Sequence, residues 1–471
     1  VFIGRENELT RLRTLGCDES PALAVVYGRR RVGKTALIRE ACKGRKTLFF
    51  EGLEGQPQSK QISNFLFQLQ SQVNFIEVDH GVKTWSAAFL QLVKALRKEP
   101  FLVVFDEFQW MAAYRTGLVS ELKMMWDQYF SQFRGSSMVL CGSIASFMVS
   151  KVLHSKALYG RVSLEIHLKP FSVSESQRML KAFGEAEVVE SMLLLGGIPL
   201  YLKMMRNVSS LYLGVNDQAF TETGYFYSEF DKIFVSHFGR KDAFSKIVKA
   251  LAQHPYGLYR DEIASVCEIA LSGKLSADLF DLEAAGFIKS FVPIDKKEKS
   301  KIQKYVLSDP YLSFYLSFIE PHKRAIALGK KDVFLKLSQG PKFASFLGRQ
   351  FELFCMNHAY QISEMLGFSG VDYSAGPYFR RALNEEGIQI DLMFDRSDNV
   401  ITLCEMKYSR APVGVEVVAE VERKVRVLEK LSRKTIQRVL FVRDGVTQEL
   451  LRSGYFYRIF TCHDFFKKGR C

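Results

Sequence analysis

The run Gly28-Arg29-Arg30-Arg31-Val32-Gly33-Lys34-Thr35 constrains this chain more than any other feature. It follows the apolar stretch Ala22–Tyr27 and precedes the helix-like Ala36–Ala41. A strand that enters a glycine-bearing turn and leaves as a helix aims successive backbone N–H groups, and the positive helix end, at one spot. Such a spot suits phosphate. Gly28 and Gly33 let the backbone turn tightly, Lys34 reaches the β- and γ-phosphates, and the Thr35 hydroxyl ligates Mg²⁺. The loop from Gly28 to Ala36 therefore predicts a nucleotide site, for ATP or GTP, at a strand-to-helix turn.

The first 170 residues alternate apolar strands with amphipathic helices, the pattern of a mostly parallel sheet covered on both faces. Expected strands are Ala22–Tyr27, Thr47–Glu51, Phe101–Asp106, Ser136–Cys141 and Ser163–His167, with helices over Ser59–Gln72, Ser86–Arg97 and Val119–Phe133. Residues 171–238 read as helices punctuated by Gly196-Gly197-Ile198-Pro199, residues 239–325 as a helical unit with a hairpin, and residues 341–471 as a helix (Phe343–Glu364) leading into strands. At 471 residues the chain exceeds what one core usually supports, in keeping with this division.

Phe101-Leu102-Val103-Val104-Phe105-Asp106-Glu107 is an apolar strand ending in two carboxylates. Asp106 is expected to hold the Mg²⁺ shell near Thr35 and Glu107 to polarise the attacking water. Ser143 lies where a hydroxyl either contacts the γ-phosphate or the attacking water, or caps a helix. Together, Phe2-Ile3-Gly4-Arg5-Glu6-Asn7-Glu8-Leu9, the phosphate loop, Asp106-Glu107 and Gly197-x-Pro199 resemble the archaeal-type ATPases of the STAND class, AAA+-related switch NTPases. The resemblance implies that the box containing Gly4 and Arg5 packs near adenine and that Pro199 belongs to a nucleotide-sensing helical lid. It also implies that Arg161 points toward the phosphates, whereas an exposed arginine of this kind can equally bridge to an acidic neighbour.

In the middle block, Phe244–Gln253, Arg260–Cys267 and Ser276–Ala285 have helical apolar spacing and precede a hairpin with a basic tip at Lys296, Lys297, Lys299 and Lys301. This layout resembles a winged helix. Its third helix carries Asp278, Asp281 and Glu283 and no Arg or Lys after Ser276, an unfavourable face for DNA phosphates, so a protein-docking role stands beside DNA contact.

The C-terminal block repeats the theme of charge on apolar strands. Asp391 lies on one strand of an expected hairpin and Glu405-x-Lys407 on the next. A period of two puts Glu405 and Lys407 on one face with Asp391 within reach, an expensive arrangement unless the groups bind something. Mg²⁺-assisted phosphodiester hydrolysis suits them: Asp391 and Glu405 hold the metal, and Lys407 orients water or stabilises the crowded phosphate. Glu352, on the preceding helix, adds a further carboxylate. The layout resembles the restriction-endonuclease-like fold with its Asp…Glu-x-Lys core, although Ile390 replaces the usual proline. A solvated salt bridge on an amphipathic strand pair is the alternative.

The formal net charge of +14 fits a polyanionic partner, DNA before RNA, as well as ordinary solubility. Eight cysteines without a C-x-x-C pair favour neither zinc nor a disulfide framework and fit a reducing cytoplasm. No run of about 18 uninterrupted apolar residues and no secretory leader is recognisable, so no membrane partner is expected. Self-association is compatible with everything in the sequence. The leading expectation is an α/β protein whose ATP-driven switch controls a metal-dependent DNA nuclease, in a defence or toxin-like role. The alternatives are a DNA-binding regulatory ATPase with a non-catalytic nuclease-like domain, and a signalling ATPase scaffold with protein partners.

Overall fold

The computed structural model describes residues 2–16, 20–113, 117–238, 242–292, 303–380 and 388–467. The chain divides into two compact units, Val1–Phe171 and Ser172–Cys471.

The first unit is built on five strands: β1 (Ala22–Tyr27), β2 (Thr47–Glu51), β3 (Leu102–Asp106), β4 (Ser137–Gly142) and β5 (Val162–His167), in the spatial order β2-β3-β4-β1-β5. Every pairing is parallel. β1, β3 and β4 are buried almost end to end, which explains why they read as continuous apolar runs rather than alternating ones. Helix α1 (Lys34–Ala41) follows β1 directly. Its N-cap, Gly33, has φ +92°, and Gly28 has φ +149°; a Cβ at Gly28 would lie 2.3 Å from the Leu168 carbonyl oxygen. These glycines are therefore required by backbone conformation and, at Gly28, by close approach of another strand end. The helix expected over Val119–Phe133 instead spans Gly117–Gln128, followed by a short 3₁₀ turn, because Tyr129 leaves helical geometry at φ −133°, ψ −59°.

The second unit opens with helices, including α2 (Glu185–Leu195), whose last eight residues are all buried. Gly196, at φ +71°, stops it, and Pro199 occupies the first turn of the next helix, Pro199–Met205. Three helices, Asp242–Gln253, Arg260–Val266 and Gly273–Ala284, accompany an antiparallel sheet of β6 (Leu258–Tyr259), β7 (Ile288–Phe291) and β8 (Lys304–Leu307) in the order β6-β8-β7. The basic tip at Lys296, Lys297, Lys299 and Lys301 lies outside the described residues. The third helix does not present the outward acidic face expected of it. Asp278 is buried, and Glu283 accepts hydrogen bonds of 2.7 Å from both the amide and the hydroxyl of Ser290.

The last block forms a mixed sheet in the order β13-β12-β11-β10-β9. β9 (Tyr373–Arg380), β10 (Ile388–Arg396) and β11 (Val400–Lys407) pair antiparallel; β11, β12 (Thr435–Val442) and β13 (Arg458–Thr461) pair in parallel. The long helix expected over Phe343–Glu364 is two: α3 (Pro341–Asn357) and Ala359–Met365, broken where His358 leaves helical geometry and its ring bonds the Phe354 carbonyl. Helix α4 (Glu416–Leu431) packs Val417, Val421, Val425 and Leu428 against Ile390, Leu403 and Leu440, an i, i+4, i+8, i+11 stripe.

Gly28→Ala meets both a positive φ and a backbone overlap, so it should cost more than Gly44→Ala. At Gly44 the φ of +80° alone is unfavourable, by about 1–2 kcal/mol, with no atom near the added methyl. Thermal unfolding of the two variants side by side checks the order; equal losses would remove the close-approach argument.

Candidate functional site

Because β3, β4 and β1 are consecutive neighbours in the first sheet, their C-terminal ends bring Asp106, Ser143 and the phosphate loop together. Open parallel sheets place ligands at this end. Thr35 Oγ1 donates to Asp106 Oδ2 at 2.7 Å. Lys34 is buried, and its Nζ donates to the carbonyls of Gly28 (2.9 Å) and Arg29 (3.0 Å), inside the loop itself. Burial pulls its pKa below the ordinary lysine value, with nearby Glu107 and Asp106 opposing. Bonding to two neutral carbonyls leaves the cation short of countercharge, which phosphate oxygens would supply.

Glu107 sits at φ +51°, a left-handed conformation for a residue with a side chain, so its carboxylate is held by more than strand geometry. Ser143 Oγ donates to Glu107 Oε2 at 2.6 Å, and Gln109 bonds both that oxygen and Ser143. The structure thus gives Ser143 a partner that neither sequence reading named: the carboxylate expected to polarise water. Gln109 and Glu51 escaped the sequence reading altogether. Glu51 ends β2 in register with Asp106, and burial, then Asp106 and Glu107, raise its pKa. The signal was a carboxylate closing a strand, common enough to pass unnoticed.

Arg5 is buried; its guanidinium donates to the Lys169 carbonyl and lies over the Phe171 ring, 4.8 Å from its centroid. Arg30 lies over Trp110 and within 3.5 Å of Glu54, while Arg31 takes φ +72° in the loop. Arg161 makes a two-point pair with Asp127, at 2.6 and 2.9 Å, and its hydrogen bonds hold the Asp127 carboxyl down at about 2. The donor set at Thr35 and Asp106 consists of hard oxygens, which fits Mg²⁺ with its other positions given to water and phosphate.

In the second unit, Leu392 pairs with Cys404, which sets Asp391 opposite Glu405 one step along the ladder. Glu352, Asp391 and Lys407 line one cavity of about 1170 Å³. Burial, then the charge of Asp391, pushes Glu352 up to about 8, with Glu405 adding to it and Arg349 pulling the other way. Glu405 is buried and held between two lysines, Lys424 at 2.6 Å and Lys407 at 3.0 Å; Lys407 also reaches Glu420 at 2.7 Å. Lys424 was missed because it sits in a helix rich in both charge signs, where nothing marks it as the buried one. Among the described residues, no three His, Cys, Asp or Glu side chains are gathered closely enough to hold a metal as they stand. The oxygen chemistry of Glu352, Asp391 and Glu405 nonetheless fits a hard divalent cation.

Glu190, on α2, is a further buried charge. Its carboxylate accepts from Tyr212 and from Tyr408 (3.4 Å) and lies 3.6 Å from Arg443. It thereby ties α2 to the residue that follows Lys407. Its sequence setting, Val-Val-Glu-Ser-Met, resembles any amphipathic helix.

Comparison with known proteins bears on the N-terminal part of the chain. Residues 2–205 match the model of a family described as an ATPase domain predominantly from Archaea. An uncharacterized protein of Methanocaldococcus jannaschii is 27% identical over 338 residues, covering 71% of this chain and 72% of that one. The structure of the Walker-type ATPase of Pyrococcus abyssi superposes with a TM-score of 0.50 at 21% identity, covering 67% of this chain and 96% of the other. The chain carries a P-loop ATPase domain. Among the described residues, no helix is long and apolar enough to cross a membrane.

Lys34→Ala should weaken ATP binding by about 10–100-fold, the loss of a charge-assisted contact, whereas Glu107→Gln should bind normally and lose hydrolysis. Titration calorimetry with a phosphate-release assay distinguishes them. In metal-free protein, Glu352 keeps its proton up to about pH 8 when folded but loses it near 4.5 when unfolded. Its contribution is therefore fully present below pH 4.5 and lost as pH rises through 8. Glu352→Gln should gain stability over wild type as pH rises from 5 to 8.5, by up to about 4 kcal/mol. A constant difference in melting temperature across that range would contradict the crowding of carboxylates.

Proposed function

We propose that this protein is an ATP-driven switch controlling a metal-dependent nuclease in its C-terminal block, with DNA as substrate. The observation that carries the reading is the convergence of Glu352, Asp391 and Lys407 on one cavity, with buried Glu405 bonded to Lys407. A divalent cation held by Asp391 and Glu405, with Glu352 nearby, would polarise a phosphodiester and lower the pKa of attacking water. Lys407 would orient that water or offset charge on the crowded phosphate. Glu405 would have to release at least one of its two lysines to take the metal, a change suited to control from elsewhere in the chain.

On the ATPase side, Lys34 would bind the β- and γ-phosphates, with Thr35 and Asp106 completing the Mg²⁺ shell. Glu107, aligned by Ser143 and Gln109, would polarise water. Gly4 and Arg5 would pack near adenine, and Arg161 would reach the phosphates only by leaving Asp127. Pro199 would pass the nucleotide state to the lid. The three helices and small sheet of residues 242–307 support a winged-helix-like role next to the nuclease block. A defence role accords with a nuclease held in check until a signal arrives, and a cytoplasmic setting with six described cysteines that are all free.

A second reading has an observation of its own. The buried Lys424–Glu405 pair satisfies the carboxylate without metal, as expected of a nuclease fold retained for DNA binding in a regulatory ATPase.

Plasmid and linear DNA should be cut with Mn²⁺ or Mg²⁺ present, and Asp391→Ala and Lys407→Ala should lower the rate by about 100-fold or more. Mn²⁺ should raise the melting temperature of the full chain, and Asp391→Asn should abolish that gain while leaving ATP hydrolysis near wild type. Lys34→Ala should alter cleavage without altering the metal shift. Absence of both cutting and a metal shift would favour the regulatory reading.

A further inference from the structure

The cavity that holds Glu352, Asp391 and Lys407 has walls the nuclease chemistry does not require. Tyr256 comes from the turn before β6 and lines the same space, with 57% of its surface exposed. The guanidinium of Arg349, on α3, lies over its ring at 5.5 Å from the centroid. Arg410 and Arg423 line the cavity as well. Arg349, Arg410 and Arg423 make no ion pair with a carboxylate among the described residues, although acidic side chains are close by. Three arginines outside any such ion pair, Arg410 among them donating to the Tyr212 hydroxyl at 2.5 Å, stand beside an exposed aromatic ring, a lining that matches a ligand at once anionic and planar.

We propose that this cavity takes a single strand of nucleic acid, one base stacking on Tyr256 and Arg349 and the adjoining phosphates meeting Arg410 and Arg423. The proposal rests on the nucleic-acid reading of the C-terminal site and adds strandedness to it. A base in a duplex has both faces covered by its neighbours, so an aromatic platform can engage only an unpaired base. Duplex binding needs cations along the backbone and no exposed ring. At about 1170 Å³ the cavity exceeds the roughly 300–1,000 Å³ of small-molecule sites. It is half open to solvent, and Lys407 on its lining bonds the buried Glu405. A flexible strand can turn one phosphate toward Asp391 and Lys407 while its neighbouring base stays on Tyr256, which a rigid duplex cannot do.

The test is fluorescence anisotropy on the full chain in EDTA, so that nothing is cut, with a labelled oligothymidylate of about 12 nucleotides and a hairpin duplex of equal length. The single strand should bind at least about 10-fold more tightly than the duplex. Tyr256→Ala should weaken single-strand binding by about 5–100-fold, leave duplex binding within twofold, and be rescued by Tyr256→Phe. Arg423→Ala should reduce the salt slope of single-strand affinity by about 1. Tyr256 is exposed, so its replacement should leave the melting temperature unchanged, and a common melting curve checks that. Equal affinity for the duplex, or a Tyr256→Ala protein that binds oligothymidylate as wild type does, would overturn the proposal. The two readings fail separately. A chain that binds the strand through Tyr256 but cuts nothing with Mn²⁺ loses the nuclease and keeps this site; one that cuts duplex DNA regardless of Tyr256 does the reverse.

Discussion

The hydrogen bond from Thr35 to Asp106 joins residues 71 positions apart, and the geometry of the candidate nucleotide site depends on it. It forms because β1 and β3 both pair in parallel with β4, so that their ends finish on the same side of the sheet. A parallel ladder of this kind must be buried on both faces, since its crossover helices cover it. The energy that fixes the site is therefore that of the whole apolar layer rather than of the polar contacts themselves. Lys34, bonded to two carbonyls of its own loop, and Glu107, held by Ser143 and Gln109 in a left-handed conformation, are positioned before any phosphate arrives. Preorganised charge of this sort is where electrostatic stabilisation is most effective.

The C-terminal site solves a different problem. Taking Glu405 out of water costs several kcal/mol, and a buried ion pair repays this only when its hydrogen bonds are complete. Here Lys424 and Lys407 supply them from the helix and from the strand, while Glu420 balances Lys407. The surplus of carboxylate on the other side of the cavity is left to Glu352, which holds its proton to about pH 8. A divalent cation would rebalance all of these groups at once. The same groups without metal form a stable closed network, and the two readings of this domain divide on that point.

Glu190 couples α2 to the C-terminal sheet. It lies on α2, which ends at the Gly196–Pro199 turn, and it bonds Tyr408, the neighbour of Lys407. Arg443 lies 3.6 Å away from it. A buried carboxylate that loses such partners is costly, so a displacement of α2 would be felt at the strand bearing Glu405 and Lys407. Helices that read as a lid in the sequence thus belong physically to the same unit as the C-terminal sheet.

The residues themselves determined the phosphate loop, the strand it follows, the carboxylate pair at Asp106-Glu107 and the Asp…Glu-x-Lys strands. Each is a local pattern whose chemistry lies in neighbouring positions, and local periodicity is what a sequence displays directly. Tertiary structure alone decided who compensates whom. Lys424 under Glu405, Ser143 on Glu107, Glu51 beside Asp106, Asp127 on Arg161 and Tyr256 facing the cavity that holds Asp391 are pairings between segments 19 to more than 100 residues apart, or between residues with no distinguishing neighbours. The inward turn of Asp278 and Glu283 belongs with them, since composition marked them as surface charge. A charge is read from sequence as a property of one residue, but its energy is set by burial and by partners, and both are fixed only when the sheets and helices pack.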